Sequence, residues 1–146
     1  MRFNSQEHSS LKPKLSTTSD LKYAEQLQQI AAEQRFEWLD IKPVFEKLFE
    51  EIDELKVEII KKDNGEDAGD QAQKIQDELG DVLFCCVNLA RFLKVDPEKA
   101  LAGTNEKFRR RFQFIEAKLY QQGLCAKDSS LEVLDQLWDQ AKEEGL

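Results

Sequence analysis

PVFEKLFEEIDELKVEIIKK, residues 43–62, decides how the rest of the chain reads. Phe45, Leu48, Ile52, Leu55 and Ile59 recur at alternating spacings of three and four, the period of a helix with one packed face. Pro43 suits the first turn of that helix. Glu51 and Glu54 lie three residues apart, so they share a face beside the apolar seam. Glu78-Leu79-Gly80-Asp81 repeats the arrangement inside a second apolar segment. Two such helices packed together offer four carboxylates to one point. Converging carboxylates repel one another and are costly to desolvate. A hard divalent cation is the simplest partner that makes the arrangement favourable. A magnesium site between two helices is the first expectation.

Working outward, Leu21, Ala24, Leu27, Ile30 and Ala31 form one face of a helix that ends near Arg35. Phe36-Glu37-Trp38-Leu39-Asp40 is an aromatic connector, and Lys61–Asp70 is a polar loop with two glycines. The next helix runs from about Gln71 to Leu93. Its centre, Val82–Val87, is apolar on every side and predicts burial all round. A chain of 146 residues has few helices to surround it, so a homo-oligomer interface is expected. Gly80 costs this helix about 1 kcal/mol relative to Ala. A close backbone approach beside Asp81 is the expected reason. Asp96-Pro97 reads as N-cap and first helical residue. The fourth helix then runs to about Gln122 with Leu101, Phe108, Phe112, Ile115 and Leu119 inward, and Gly123 stops it. Ser129-Ser130-Leu131-Glu132 has the capping-box pattern and opens a last helix to about Glu144. Leu131, Leu134, Leu137, Trp138 and Ala141 are its apolar residues. No strand alternation stands out. The expected fold is all-α, a bundle of about five helices over residues 21–146, behind a flexible tail at 1–20.

Composition narrows the function. The net charge of −8 argues against a nucleic-acid binder. No stretch approaches the roughly 18 apolar residues of a membrane span, and Met1–Asp20 has no secretory h-region. Of the three cysteines, Cys85, Cys86 and Cys125, the adjacent Cys85 and Cys86 lie in the most apolar run and read as reduced core residues of a cytoplasmic protein. His8 is the only histidine, and no Cys/His spacing suits zinc. Neither acidic motif continues into the Glu-x-x-His of di-iron bundles. Asp63-Asn64-Gly65-Glu66-Asp67 lacks the ordering of an EF-hand loop. All-oxygen ligation on helices leaves Mg²⁺, with Mn²⁺ as the alternative.

Asn105-Glu106-Lys107-Phe108-Arg109-Arg110-Arg111 supplies four cations. Lys107 and Arg111 share a face, with Phe108 and Phe112 anchoring the neighbouring one. Lys gives a point charge and Arg a bidentate fork for phosphate. Arg109 and Arg110 read more simply as a solvated basic patch. The chain's one histidine lies in the tail, which leaves no Ser-His or Cys-His pair for covalent catalysis. Attack of water on a phosphate is the reaction class that remains.

Lys47-x-x-Glu50-Glu51-Ile52-Asp53-Glu54, Glu78-Leu79-Gly80-Asp81-Val82-Leu83-Phe84, Val87-Asn88-Leu89-Ala90-Arg91 and Asn105-Glu106-Lys107-Phe108-x-x-Arg111-Phe112 follow in this order. Together they resemble the MazG nucleoside triphosphate pyrophosphohydrolases, over roughly Leu21–Leu146. The Phe36-Glu37-Trp38 connector and the Trp138 segment join the resemblance. It implies an all-α, Mg²⁺-dependent hydrolase of nucleoside triphosphates that yields monophosphate and pyrophosphate. It also implies a homodimer or homotetramer whose helices complete one bundle. Carried over by position, Glu51, Glu54, Glu78 and Asp81 are the metal ligands. Lys47, Glu50, Lys107, Arg111 and Trp138 surround the nucleotide. Glu50 or Glu51 orients the attacking water, and Lys107 and Arg111 stabilise phosphate charge. Trp138 stacks on a base or serves as a core tryptophan. A narrower dCTP- or dUTP-type pyrophosphatase and a non-catalytic nucleotide-binding oligomer are the competing readings. Asp77 stands where a Glu is common, Arg35 where a glycine is, and Leu39 where a proline is. The 61–70 loop is somewhat long. These departures bear on base preference and leave the four carboxylates intact.

Overall fold

The computed structural model describes residues 9–65 and 69–146. The start of the tail with His8, and Glu66, Asp67 and Ala68 of the polar loop, lie outside the described residues. Among the described residues the order is α1 (Asp20–Glu33), α2 (Ile41–Asp63), α3 (Gln71–Phe92), α4 (Pro97–Gln121), a 3-10 turn at Ala126–Asp128, and α5 (Leu131–Glu143), with no strand. The all-α expectation holds. The chain divides into two compact units, one ending at Glu98 and one beginning at Lys99.

In the first unit α3 packs along α2 and against α1. Ser19 caps α1 by accepting the Lys22 N–H at 3.1 Å, and Asp40 caps α2 by accepting the Lys42 N–H at 2.7 Å. The Gln28 amide, buried between helices, donates to the Phe84 carbonyl at 2.8 Å and ties α1 to α3. α1 and α3 both end in the six-residue turn that needs a left-handed C′ residue. Arg35 (φ 65) and Lys94 (φ 57) fill that place. Glycine would take the left-handed conformation at either place without strain.

Several expectations about this unit are corrected. The buried residues of α2 are Val44 and Glu51, while Phe45 and Ile59 are exposed. The helix is rotated from its apolar seam, and the edge that carries Glu51 turns inward. In α3, Val87 is buried, but Leu83 is 52% and Phe84 43% exposed, and Cys86, expected in the core, is exposed as well. The run 82–87 therefore buries only part of its circumference within one chain. Nor does any close approach explain Gly80: a Cβ built there meets nothing within 4 Å.

In the second unit Ile115 and Leu119 of α4 pack with Leu137 of α5, flanked by Phe112, Leu134 and Trp138. Burying Leu119 completely is worth about 2 kcal/mol. Leu101 and Phe108, expected inward, are exposed, as is Leu131 at the start of α5. Asp96 accepts the Glu98 N–H at 3.0 Å, as its capping role predicts. The N-cap of α5 is Ser130, accepting the Val133 N–H, so Glu132 falls one place short of the capping-box position.

Candidate active site

The rotation of α2 builds the site. Glu51 is 6% exposed, held in the α2–α3 contact. Glu54 follows one turn later, and Glu78 enters from α3. One carboxylate oxygen from each of these three lies within 4.8 Å of the others. Lys47, one turn before Glu51, pairs with Glu51 at 2.6 Å and Glu50 at 2.9 Å. Those bonds raise the Lys47 pKa, the Glu51 contact most, so Lys47 stays charged.

Glu78 is the stressed member. Desolvation first, then the negative charges of Glu54, Asp81, Glu51 and Glu58, push its carboxyl up from the usual range. Its Oε2 is buried and has no hydrogen-bond partner. A buried acceptor left unpaired costs stability, and like charges nearby add to that cost. A hard cation relieves both, and an all-oxygen donor set is the kind it takes. The residues fit a divalent cation. Asp81 is exposed and lies outside the three-oxygen convergence, although its charge reaches Glu78. Glu50, Asp53, Glu54, Glu58 and Glu78 line a recess of 430 Å³.

Glu58 was not anticipated. Lys61, then Gln71, holds its carboxyl below the usual range. Gln71, 2% exposed at the start of α3, donates from one amide nitrogen to both the Glu58 carbonyl and carboxylate, each at 2.7 Å. The signal was present in the spacing: Glu58 follows Glu51 by seven residues and Glu54 by four, the same helix face.

The cationic residues belong to the second unit. Lys107 is exposed and has no ion pair among the described residues. The Arg111 guanidinium sits over the Trp138 ring at 5.3 Å, and its Nε donates to the Leu146 carbonyl at 2.8 Å. Trp138 is tilted against Phe108 at 5.2 Å, and Phe108 stacks with Phe112 at 6.1 Å. Trp138 is therefore partly a core residue and partly a platform for Arg111. Arg109 bonds Glu106 and Gln113 within its own helix, which accords with a solvated patch.

Two packed acidic helices, followed in the chain by a helix with a run of basic residues, are the distinguishing features of this all-α protein. A family model described as the MazG nucleotide pyrophosphohydrolase domain matches residues 40–114. The chain belongs to that family. It is 38% identical over 122 residues to the nucleoside triphosphate pyrophosphohydrolase/pyrophosphatase MazG of Thermotoga maritima, covering 84% of this chain and 44% of that protein. It is 37% identical over 138 residues to the nucleoside triphosphate pyrophosphohydrolase of Escherichia coli K12, covering 94% of this chain and 50% of that protein. A 66-residue stretch is 54% identical to the uncharacterized protein YabN of Bacillus subtilis, covering 45% of this chain and 14% of that protein. The chain thus spans half or less of the length of the curated relatives it matches.

Proposed function

We propose that this chain hydrolyses nucleoside triphosphates to monophosphate and pyrophosphate, with Mg²⁺ (or Mn²⁺) as cofactor. The observation that carries the proposal is the meeting of Glu51, Glu54 and Glu78 around an unpartnered, buried Glu78 oxygen. The names of the Thermotoga maritima and Escherichia coli relatives support the reaction class. Glu51, Glu54 and Glu78 would hold the ion, with Asp81 swinging in as a fourth ligand. Bound there, the ion offsets phosphate charge and acidifies water. Lys47 orients Glu51 and Glu50 through its two ion pairs. Glu50, outside the three-oxygen set and held by Lys47, orients the attacking water. Lys107 and Arg111 stabilise charge on the phosphates, and Trp138 keeps the Arg111 plane in place.

The exposed apolar residues Leu79, Leu83 and Phe84 of α3 support a homodimer or homotetramer. Three free cysteines support a cytoplasmic setting, and no helix of the described residues is long and apolar enough to cross a membrane. The role is removal of unwanted triphosphates from the nucleotide pool.

Product separation after incubation with a panel of NTPs and dNTPs plus Mg²⁺ tests the reading. Monophosphate plus pyrophosphate is expected. Diphosphate plus phosphate contradicts it. Turnover confined to dCTP or dUTP makes the enzyme a narrower housekeeping pyrophosphatase. Binding without turnover makes the chain a nucleotide-binding oligomer.

A further inference from the structure

The end of α5 is built as a closed turn. Gly145 takes the left-handed conformation (φ 81), its N–H bonds the Lys142 carbonyl, and the Leu146 N–H bonds the Ala141 carbonyl at 3.0 Å. These are the two reversed bonds of a Schellman motif, which glycine adopts without strain. The turn leaves the Leu146 carbonyl 2.8 Å from Arg111 Nε. From a second direction the Trp138 ring lies 5.3 Å from the guanidinium carbon. Phe108 backs that ring. Arg111 Nη1 and Nη2 make no hydrogen bond among the described residues. One edge of a rigid fork is thus committed to the protein, and the other is left for a ligand.

We propose that the Glu144–Leu146 turn is a positioning element for Arg111: the Leu146 main-chain oxygen and the Trp138 ring fix the guanidinium, leaving its terminal nitrogens to bind phosphate. The inference rests on the reading of Arg111 as a phosphate-binding residue. Its physical basis is preorganisation. A long side chain immobilised before the ligand arrives loses little freedom on binding.

Gly145→Pro tests this, because proline removes the N–H and cannot adopt positive φ. Arg111→Lys gives the reference background, since lysine has neither Nε nor a fork. The probe is inorganic pyrophosphate with Mg²⁺, its affinity read by calorimetry on the full chain, beside kcat/KM for any triphosphate turned over. Gly145→Pro is expected to weaken pyrophosphate about tenfold, the scale of one hydrogen bond to a charged group. Its melting temperature should stay near that of the parent, because the change lies past the last helical turn. In the Arg111→Lys background the same change should cost nothing further. Parent-like affinity in Gly145→Pro overturns the proposal. So does an equal tenfold loss in both backgrounds, an Arg111→Lys variant that binds normally, or a parent that does not bind pyrophosphate. Absence of triphosphate hydrolysis sinks the enzymatic reading, while the pyrophosphate titrations still decide the positioning role.

Discussion

In the unit ending at Glu98, three carboxylates stand within 4.8 Å of one another, and the Glu78 Oε2 is left without a partner. In the unit beginning at Lys99, Arg111 is already bonded by Leu146 and backed by Trp138. The acidic group is arranged at a cost to the fold, while the cationic one is satisfied by it. The difference teaches which residues wait for a ligand. An unrelieved carboxylate cluster is the kind of donor set that a divalent cation stabilises. A satisfied arginine signals a binding surface set before the substrate comes.

The largest effect should come from the acidic side. Glu54→Gln is expected to lower Mg²⁺-dependent turnover by more than about 100-fold, beyond the range of a supporting residue. Circular dichroism should show the helices intact. Near-parent rates would remove Glu54 from the ligand set, and Asp81→Asn with normal rates would do the same for Asp81. On the cationic side, Arg111→Lys should cost about 10- to 100-fold in kcat/KM, the loss of a bidentate charged contact.

Glu78→Gln sharpens the contrast, because its two consequences have opposite sign. The folded state raises the Glu78 pKa. A carboxyl raised on folding favours the native state when protonated, and that advantage disappears as pH rises through the folded value. At neutral pH, without metal, the raised carboxyl therefore works against the fold. The glutamine variant should melt higher than the parent under those conditions and lose the further rise that Mg²⁺ gives the parent. A lower melting temperature in chelator would show that the carboxylates are not in conflict.

Gly80→Ala separates chain from assembly. Nothing lies within 4 Å of a Cβ there, so alanine should stabilise the isolated helix by up to about 1 kcal/mol. If a second copy packs on the face of Leu79 and Leu83, the same change should weaken self-association in sedimentation. The smallest effect is at the helix ends. Arg35→Gly and Lys94→Gly relieve left-handed residues and should each add up to about 1 kcal/mol in urea unfolding.

The helices were legible because their caps and periods are local. Pro97 follows its cap Asp96 directly, whereas the capping roles of Ser19 and Asp40 emerged only with the structure. The rotation of α2 was not legible. Phe45 and Ile59 suit a core by type, yet the inward edge carries Glu51. Periodicity counts apolar residues, so it cannot show a helix turning a carboxylate inward. The convergence of Glu51, Glu54 and Glu78 followed from spacing on two helices known to be acidic. Glu58 was passed over because it lay outside both short motifs, although its register is theirs. The grip of Leu146 on Arg111 depends on a main-chain carbonyl 35 residues away, which no side-chain pattern encodes.

The central claim is that the three carboxylates are a divalent-cation site. Calorimetric titration of Mg²⁺ or Mn²⁺ into the parent and into the Glu54→Gln/Glu78→Gln double variant tests it without reference to turnover. Saturable binding by the parent, lost in the variant, is the predicted result. Equal binding by both proteins, or none by the parent with or without a non-hydrolysable triphosphate, would contradict it.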